Sequence, residues 1–377
     1  MHRRDFLALS GAALVASPSW AEGISQWQRE FGDYISDQLA LIHTPGMSVA
    51  MVNGGRTSFS AGYGYADVAA ARRVTPDTVF QIASVSKTVT ATALMLLWQE
   101  GAFKLDDAIA PHQDFKLTDP NFPGVPITFR HLFTHTSGIS DAVYDDLDFS
   151  TGELPPLRDF LVGYLTPGGK WHDAKKSWSA AKPGTAWSYS NVGVALLGYL
   201  GERLSGKPFD VFTRERIFAP LGMNSTSWRY EGVSDAHLAQ PYDFENAKFK
   251  RLPRTRYPDW PAGLLCTTAN DFAKFLASYT KAMLLAPQTI ATMFTPSPVV
   301  MNPKSPNLHQ GLIWELAPLG DSTVALHGGG DPGASTLAAI DTTHGTAALC
   351  FANITPTKDN MSFEKAAIHR LLEKANA

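Results

Sequence analysis

The stretch from Phe80 to Trp98, FQIASVSKTVTATALMLLW, constrains this chain more than any other. From Val85 to about Trp98, small and apolar residues cover nearly the whole circumference of a helix, and Gly101 stands where such a helix would stop. A helix with no polar face to offer water has to lie at the centre of the molecule, with other elements packed around it. The sequence can build that centre, because 44% of its 377 residues are hydrophobic. The polar head of the same helix is the anomaly, since it carries Ser84, Ser86 and Lys87 towards the interior.

The remaining pattern says what surrounds this helix. An apolar run at 47 to 52, an Asn-Gly-Gly turn at 53 to 55 and a second run alternating around Phe59 predict a hairpin near the N-terminus. Helices are expected around 129 to 135, 157 to 165, 192 to 204, 209 to 216 and 270 to 280, separated by Pro- and Gly-rich turns. Strand signals return at 322 to 327, 335 to 341 and 345 to 353, with HGGGDPG and THG between them, and SFEKAAIHRLLEK closes the chain as an amphipathic helix. The fold class is therefore α/β in the α+β sense, an antiparallel sheet completed by the C-terminal strands and flanked by helices. A mostly helical second lobe comes from the middle of the chain. No repeat or long linker divides residues 22–377, which read as a single domain with two lobes.

Ser84 and Lys87 stand three apart at a helix start, so their side chains share a face and the amine can reach the hydroxyl. A serine attacks a carbonyl only when a base removes its proton, and a lysine in an apolar, desolvated site has its pKa lowered towards that role. Ser86 points about 100° away from Lys87. The Ser-x-x-Lys pattern alone says little, because it recurs at Ser179/Lys182, Ser278/Lys281 and Ser362/Lys365.

Two further segments add to it. Tyr189-Ser190-Asn191 precedes a helix from about Val192 to Leu204. A tyrosine whose pKa is lowered by a neighbouring ammonium can relay a proton between serine and leaving group, and Asn191 offers an amide to orient substrate. A tyrosine packed in a loop and an asparagine capping the helix would read the same way. In HGGGDPG, successive glycines let a substrate approach a strand edge whose N–H groups can receive an oxyanion, although a Gly-rich hairpin turn has the same composition.

With FQIASVSKTVT, ITFRHLFTHTSGI, PGTAWSYSNVGVALLGYLGERLSGKPF, FAPLGMNSTSW, PAGLLCTTANDFAKF and HGGGDPGAS in this order, the chain resembles the serine β-lactamase and penicillin-binding family. Its resemblance is to the branch that holds class C β-lactamases, DD-peptidases, D-aminopeptidases and family VIII carboxylesterases. The resemblance implies that Ser84 is an acylated nucleophile and that Lys87 and Tyr189 share general base and acid duties. It makes Asn191 the substrate-orienting amide, and the N–H groups of Ser84 and Gly330 an oxyanion hole, with Gly330 following His327-Gly328-Gly329. His327, Gly329 and Gly330 are thereby expected to be substrate-binding residues. Typical class C β-lactamases carry Lys-Thr-Gly where this chain has His-Gly-Gly, so the ammonium and hydroxyl that would hold a substrate carboxylate are missing. Esters and D-amino-acid-type amides or peptides are therefore expected ahead of β-lactams. The alternatives are a class C-like β-lactamase and a non-catalytic penicillin-binding receptor or scaffold.

Net charge near −3 offers no field for nucleic acid, and small neutral or mildly charged substrates fit better. Neither cofactor nor metal is implied. His131 and His135 have i, i+4 spacing, but LFT between them lacks the glutamate of a zincin motif. Cys266 and Cys350 sit in apolar surroundings and read as buried thiols. Trp260, in PDWPAG, is expected either to line an acyl or leaving-group pocket or to pack on the core. Residues 1–21 combine Arg3-Arg4, an apolar run from Phe6 to Ala16 and a small-residue end at Ala21, and they resemble a twin-arginine export signal. A periplasmic or secreted location, with no stable membrane anchor after cleavage, is the expectation.

Overall fold

A computed structural model describes residues 25–147, 149 and 153–377; the export signal expected at 1–21 lies outside them. Helix α1 (Gln26–Leu41) opens the described chain, started by a capping box between Ser25 and Gln28. It buries only Phe31, Ile35 and Leu39, which is why the sequence pattern does not announce it. The expected hairpin follows as β1 (Gly46–Asn53) and β2 (Arg56–Asp67), and short strands β3 (Arg72–Arg73) and β4 (Val79–Gln81) lead to a 3-10 turn at Ala83–Val85. Helix α2 (Ser86–Gln99) starts there and buries every residue from Ser86 to Leu97, as its unbroken apolar circumference requires.

The middle of the chain is mostly helical: α3 (Phe129–Phe133), α4 (Leu157–Leu165), α5 (Asn191–Ser205), α6 (Phe209–Thr213) and α7 (Ala219–Leu221). A small hairpin, β5 (Tyr242–Glu245) and β6 (Lys248–Arg251), and strand β7 (Cys266–Thr268) precede α8 (Ala269–Thr280) and α9 (Pro287–Met293). The chain then returns as β8 (His309–Gln310), β9 (Glu315–Leu319), β10 (Ser322–Asp331), β11 (Ala334–Asp341) and β12 (Thr346–Ala352), and ends in α10 (Lys358–Asn376).

Eight strands form one sheet in the order β3-β2-β1-β12-β11-β10-β9-β8, and every pairing in it is antiparallel. Chain ends meet at its centre, where Val49 of β1 lies opposite Cys350 of β12. One face packs with α2, α5 and α8 in the larger core, which includes Leu94, Leu197, Phe272 and Phe351. The other packs under α1 and α10, where Ile35, Leu337, Ile368 and Leu371 meet. Cys266 and Cys350 are both free and buried.

The HGGGDPG segment departs from its expected place between strands. Strand β10 runs on through His327, Gly328, Gly329 and Gly330 to Asp331, each paired with β11, and only Pro332 and Gly333 are left to turn the chain. The ladder hydrogen bonds outweigh the weak strand preference of glycine. On the outer side, β9 pairs with β10 only from Ser322 to Leu326, so the glycine half of β10 has no strand pairing on that edge among the described residues.

Candidate active site

The 3-10 turn brings Ser84 to the open edge of β10. Its predecessor Ala83 has φ +45°, a conformation that L residues rarely hold, and a strained backbone of this kind persists only where its surroundings over-determine it. Here the Ile82 N–H donates to Leu265 O (2.9 Å), while Ile82 O accepts from the Thr336 hydroxyl (2.8 Å). Ser86, the other serine of the segment, is structural, since its Oγ accepts from the Leu265 N–H at 3.1 Å.

Lys87 is wholly buried, and its Nζ donates to Ser84 Oγ (2.9 Å), Asn191 Oδ1 (2.7 Å) and Ala262 O (2.6 Å). These three acceptors use all three protons of an ammonium. If one proton is lost, the Asn191 and Ala262 bonds can remain and the lone pair faces the Ser84 hydroxyl. The geometry therefore serves a lysine that takes a proton from this serine. Burial pulls the Lys87 pKa below the ordinary lysine value, against the upward pull of the Asp259, Asp141 and Asp331 carboxylates.

Tyr189 lines the same cleft as Ser84, and Lys87 Nζ lies 5.0 Å from the centre of its ring. Its acidity is the reverse of the sequence expectation. Burial pushes the phenol pKa up, and the Asp141, Glu315 and Asp331 charges push it further, so Tyr189 stays a protonated donor near neutral pH. Asn191 begins α5. Ser190 caps that helix by accepting from the Gly193 N–H (2.9 Å), and Asp141 accepts from the Ser190 hydroxyl (2.8 Å) and the Asn191 and Val192 N–H groups. With Lys87 on its Oδ1, Asn191 still has its amide N–H groups to offer another partner.

His327 is 2% exposed, and its Nδ1 donates to Gly328 O at 2.7 Å, which leaves Nε2 as an acceptor in the neutral ring. Burial, and then the Lys87 charge, lower its pKa to about 3, so the ring carries no charge at pH 7. Gly329 packs tightly on the serine turn: a Cβ there would lie 2.6 Å from Ile82 O and 3.1 Å from Ser84 N. Gly330, the next residue, lines the cleft that Ser84 faces. Of the seven residues expected from the sequence, Ser84, Tyr189, His327, Gly329 and Gly330 line one cleft, and Lys87 and Asn191 stand behind it, joined to Ser84 through the Lys87 hydrogen bonds.

Of the two places expected for Trp260, the structure supports packing on the core: half-buried, it lies against Phe209 and Trp228, with ring centres 5.8 and 5.4 Å away. His131 caps α3 through its Nδ1, while the buried His135 accepts from the Ser190 N–H (3.3 Å), its ring 4.6 Å from that of Tyr189. Three acids went unnoticed. Asp331 accepts from Gln81 Nε2 (2.7 Å) and the Tyr257 hydroxyl (3.3 Å), Asp259 accepts from the Tyr144 hydroxyl, and Asp141 holds the α5 terminus. Burial raises the pKa of all three, that of Asp331 to about 6. Asp331 had one legible signal: four residues beyond His327, it falls on the same strand face.

Comparison with known proteins bears on the family and the fold. The Beta-lactamase family profile matches residues 31–373. Protein flp of Staphylococcus aureus (strain NCTC 8325 / PS 47) is 27% identical over 250 residues; the match takes in 66% of this chain and 48% of that protein, about half its length. Among solved structures, the octameric penicillin-binding protein homologue from Pyrococcus abyssi superposes with a TM-score of 0.77 at 25% identity, over 92% of this chain and 77% of that one. D-amino acid amidase from Ochrobactrum anthropi SV3 gives a TM-score of 0.73 at 26% identity, over 91% and 99%.

Proposed function

Because the chain belongs to the beta-lactamase family, we propose that it is a serine hydrolase that forms an acyl-enzyme at Ser84 and releases it to water. The observation that carries this reading is the fully buried Lys87 amine 2.9 Å from the half-buried Ser84 hydroxyl. Neutral Lys87 takes the Ser84 proton as Oγ bonds to the substrate carbonyl carbon. The carbonyl electron pair moves to oxygen, where the N–H groups of Ser84 and Gly330 receive it. Collapse breaks the bond to the leaving group, which departs with the Tyr189 proton, and Tyr189 regains a proton from Lys87. Water then repeats the sequence on the acyl-enzyme. Division of labour follows from acidity, since Lys87 is shifted towards a base and Tyr189 towards a donor.

Esters and D-amino-acid-type amides are the substrate classes this site supports best. Neutral His327 supplies no charge for a substrate carboxylate, which disfavours β-lactams and C-terminal peptides relative to esters. D-amino acid amidase, a structural neighbour, is named for the second class. The composition of residues 1–21 supports export before this domain works. Incubation with a fluorophosphonate should add one covalent label at Ser84, found by peptide mass, and Ser84→Ala should lose both label and ester hydrolysis. Folded protein that hydrolyses esters equally well as Ser84→Ala would overturn the reading.

A further inference from the structure

We propose that the leaving-group side of the site is an apolar cleft that takes the uncharged aliphatic alcohol portion of an ester, between α10 and strands β9 and β10. This rests on Ser84 as nucleophile and on Tyr189 as donor to the departing oxygen. A cleft of about 590 Å³ runs from Ser84 and Tyr189 past Gly328 as far as Leu372, a size suited to a small organic ligand. It exists because α10 packs chiefly on β12, β11 and β1, leaving the same sheet face less covered towards β10 and β9.

Its floor is Val324, Leu326, Leu337 and Ala339, and Ile368 and Leu372 of α10 form the wall. Leu308, Leu319 and Leu326 remain only half-buried along it, and Met361 at its rim is 46% exposed, so apolar surface is left uncovered among the described residues. Gly328 is the passage. Its φ is not positive, and a Cβ there would meet nothing closer than Thr336 O at 3.9 Å. Neither backbone nor packing demands glycine at 328, and the absent side chain keeps the way open from Ser84 into the cleft.

Which half of the substrate enters follows from the lining. Tyr189 and His327 line the cleft, whereas Asp259, Asp331, Tyr144 and Tyr257 do not, so the group that Tyr189 protonates leaves into it. Charge selects against an anionic leaving group. Glu315 and Glu364 both line the cleft, and Glu364 is buried with its Oε1 lacking a hydrogen-bond partner among the described residues. Burial raises both acids, Glu364 to about 7, and a departing carboxylate would add to that unfavourable charge.

Two ester series of matched size test this. Alkyl acetates from methyl to octyl lengthen the alcohol, and methyl alkanoates from acetate to nonanoate lengthen the acyl group. Titration of released acid should show kcat/KM rising with the alcohol chain, by up to about fourfold per buried methylene, and flat with the acyl chain. The octyl-to-methyl ratio should collapse towards one in Ala317→Trp, which fills the cleft from β9, and fall in Met361→Asp at the exposed rim. Ser84-dependent hydrolysis with no alcohol-chain dependence, or with the gain on the acyl series, overturns this assignment and leaves the serine-hydrolase reading standing. Ester hydrolysis that survives Ser84→Ala removes that reading itself.

Discussion

Gly329→Ala tests how closely β10 must approach the nucleophile. The added Cβ would stand 2.3 Å from Thr336 Oγ1, 2.6 Å from Ile82 O and 3.1 Å from Ser84 N. Thr336 cannot simply rotate away, because its hydroxyl ties Ile82 O at 2.8 Å, and Ile82 O is backbone of the segment that carries Ser84. Reaching an ordinary contact of 3.4 Å from Ile82 O requires β10 and the serine turn to separate by about 0.8 Å. The separation falls between the Gly330 and Ser84 N–H groups, which the proposed reaction needs on one oxygen. A misplacement of about 1 Å can cost on the order of 100-fold in rate, and loss of one oxyanion donor costs about 100- to 1,000-fold, or about 3–4 kcal/mol. We expect kcat for a short ester to fall about 100-fold with little change in KM, since the lost interaction forms in the transition state. Overpacking should cost about 1–3 kcal/mol in guanidinium unfolding. Gly328→Ala is the internal comparison, because the same methyl one residue earlier meets only Thr336 O at 3.9 Å and should leave the unfolding midpoint nearly unchanged. A folded Gly329→Ala enzyme with kcat within about threefold of wild type would refute the argument that this contact sets the oxyanion geometry.

Two other predictions concern titration and the core. If neutral Lys87 is the base, kcat/KM rises with pH as its ammonium loses a proton, below the ordinary lysine range. The Asp259 carboxylate pulls the Lys87 pKa upward, so Asp259→Asn should move the rising limb to lower pH; a limb that moves upward would contradict the assignment. Leu371 of α10 is fully buried against the sheet, and Leu371→Ala should lose about 2–5 kcal/mol in denaturant unfolding at unchanged m.

The site was legible wherever its chemistry is local. Ser84 and Lys87 are three residues apart, and helical geometry alone joins them. Tyr189 and Asn191 flank the residue that caps α5, and the His327 glycine run carries its own composition. Asp141 and Asp259 carried no comparable signal, because their bearing on Lys87 exists only after α2, α5 and the 259–263 loop are packed together. The expected acidity of Tyr189 failed for the same reason. Proximity to an ammonium can be guessed from a motif, whereas the burial that overrides it is a property of the packed molecule.

By itself the sequence determined that α2 lies at the centre, that the two ends of the chain supply strands, and that a serine and a lysine share the head of that helix. Periodicity and side-chain volume are local quantities, and they survive translation into structure almost unchanged. Tertiary structure alone decided that HGGGD is a strand with an open outer edge, that Lys87 is stripped of water among three acids, and that burial lowers the His327 pKa well below its ordinary value. Those outcomes depend on which edges stay unpaired, set by where the β9 pairing ends at Leu326, and on which surfaces exclude solvent, set around Lys87 by partners as far along the chain as Asn191 and Ala262.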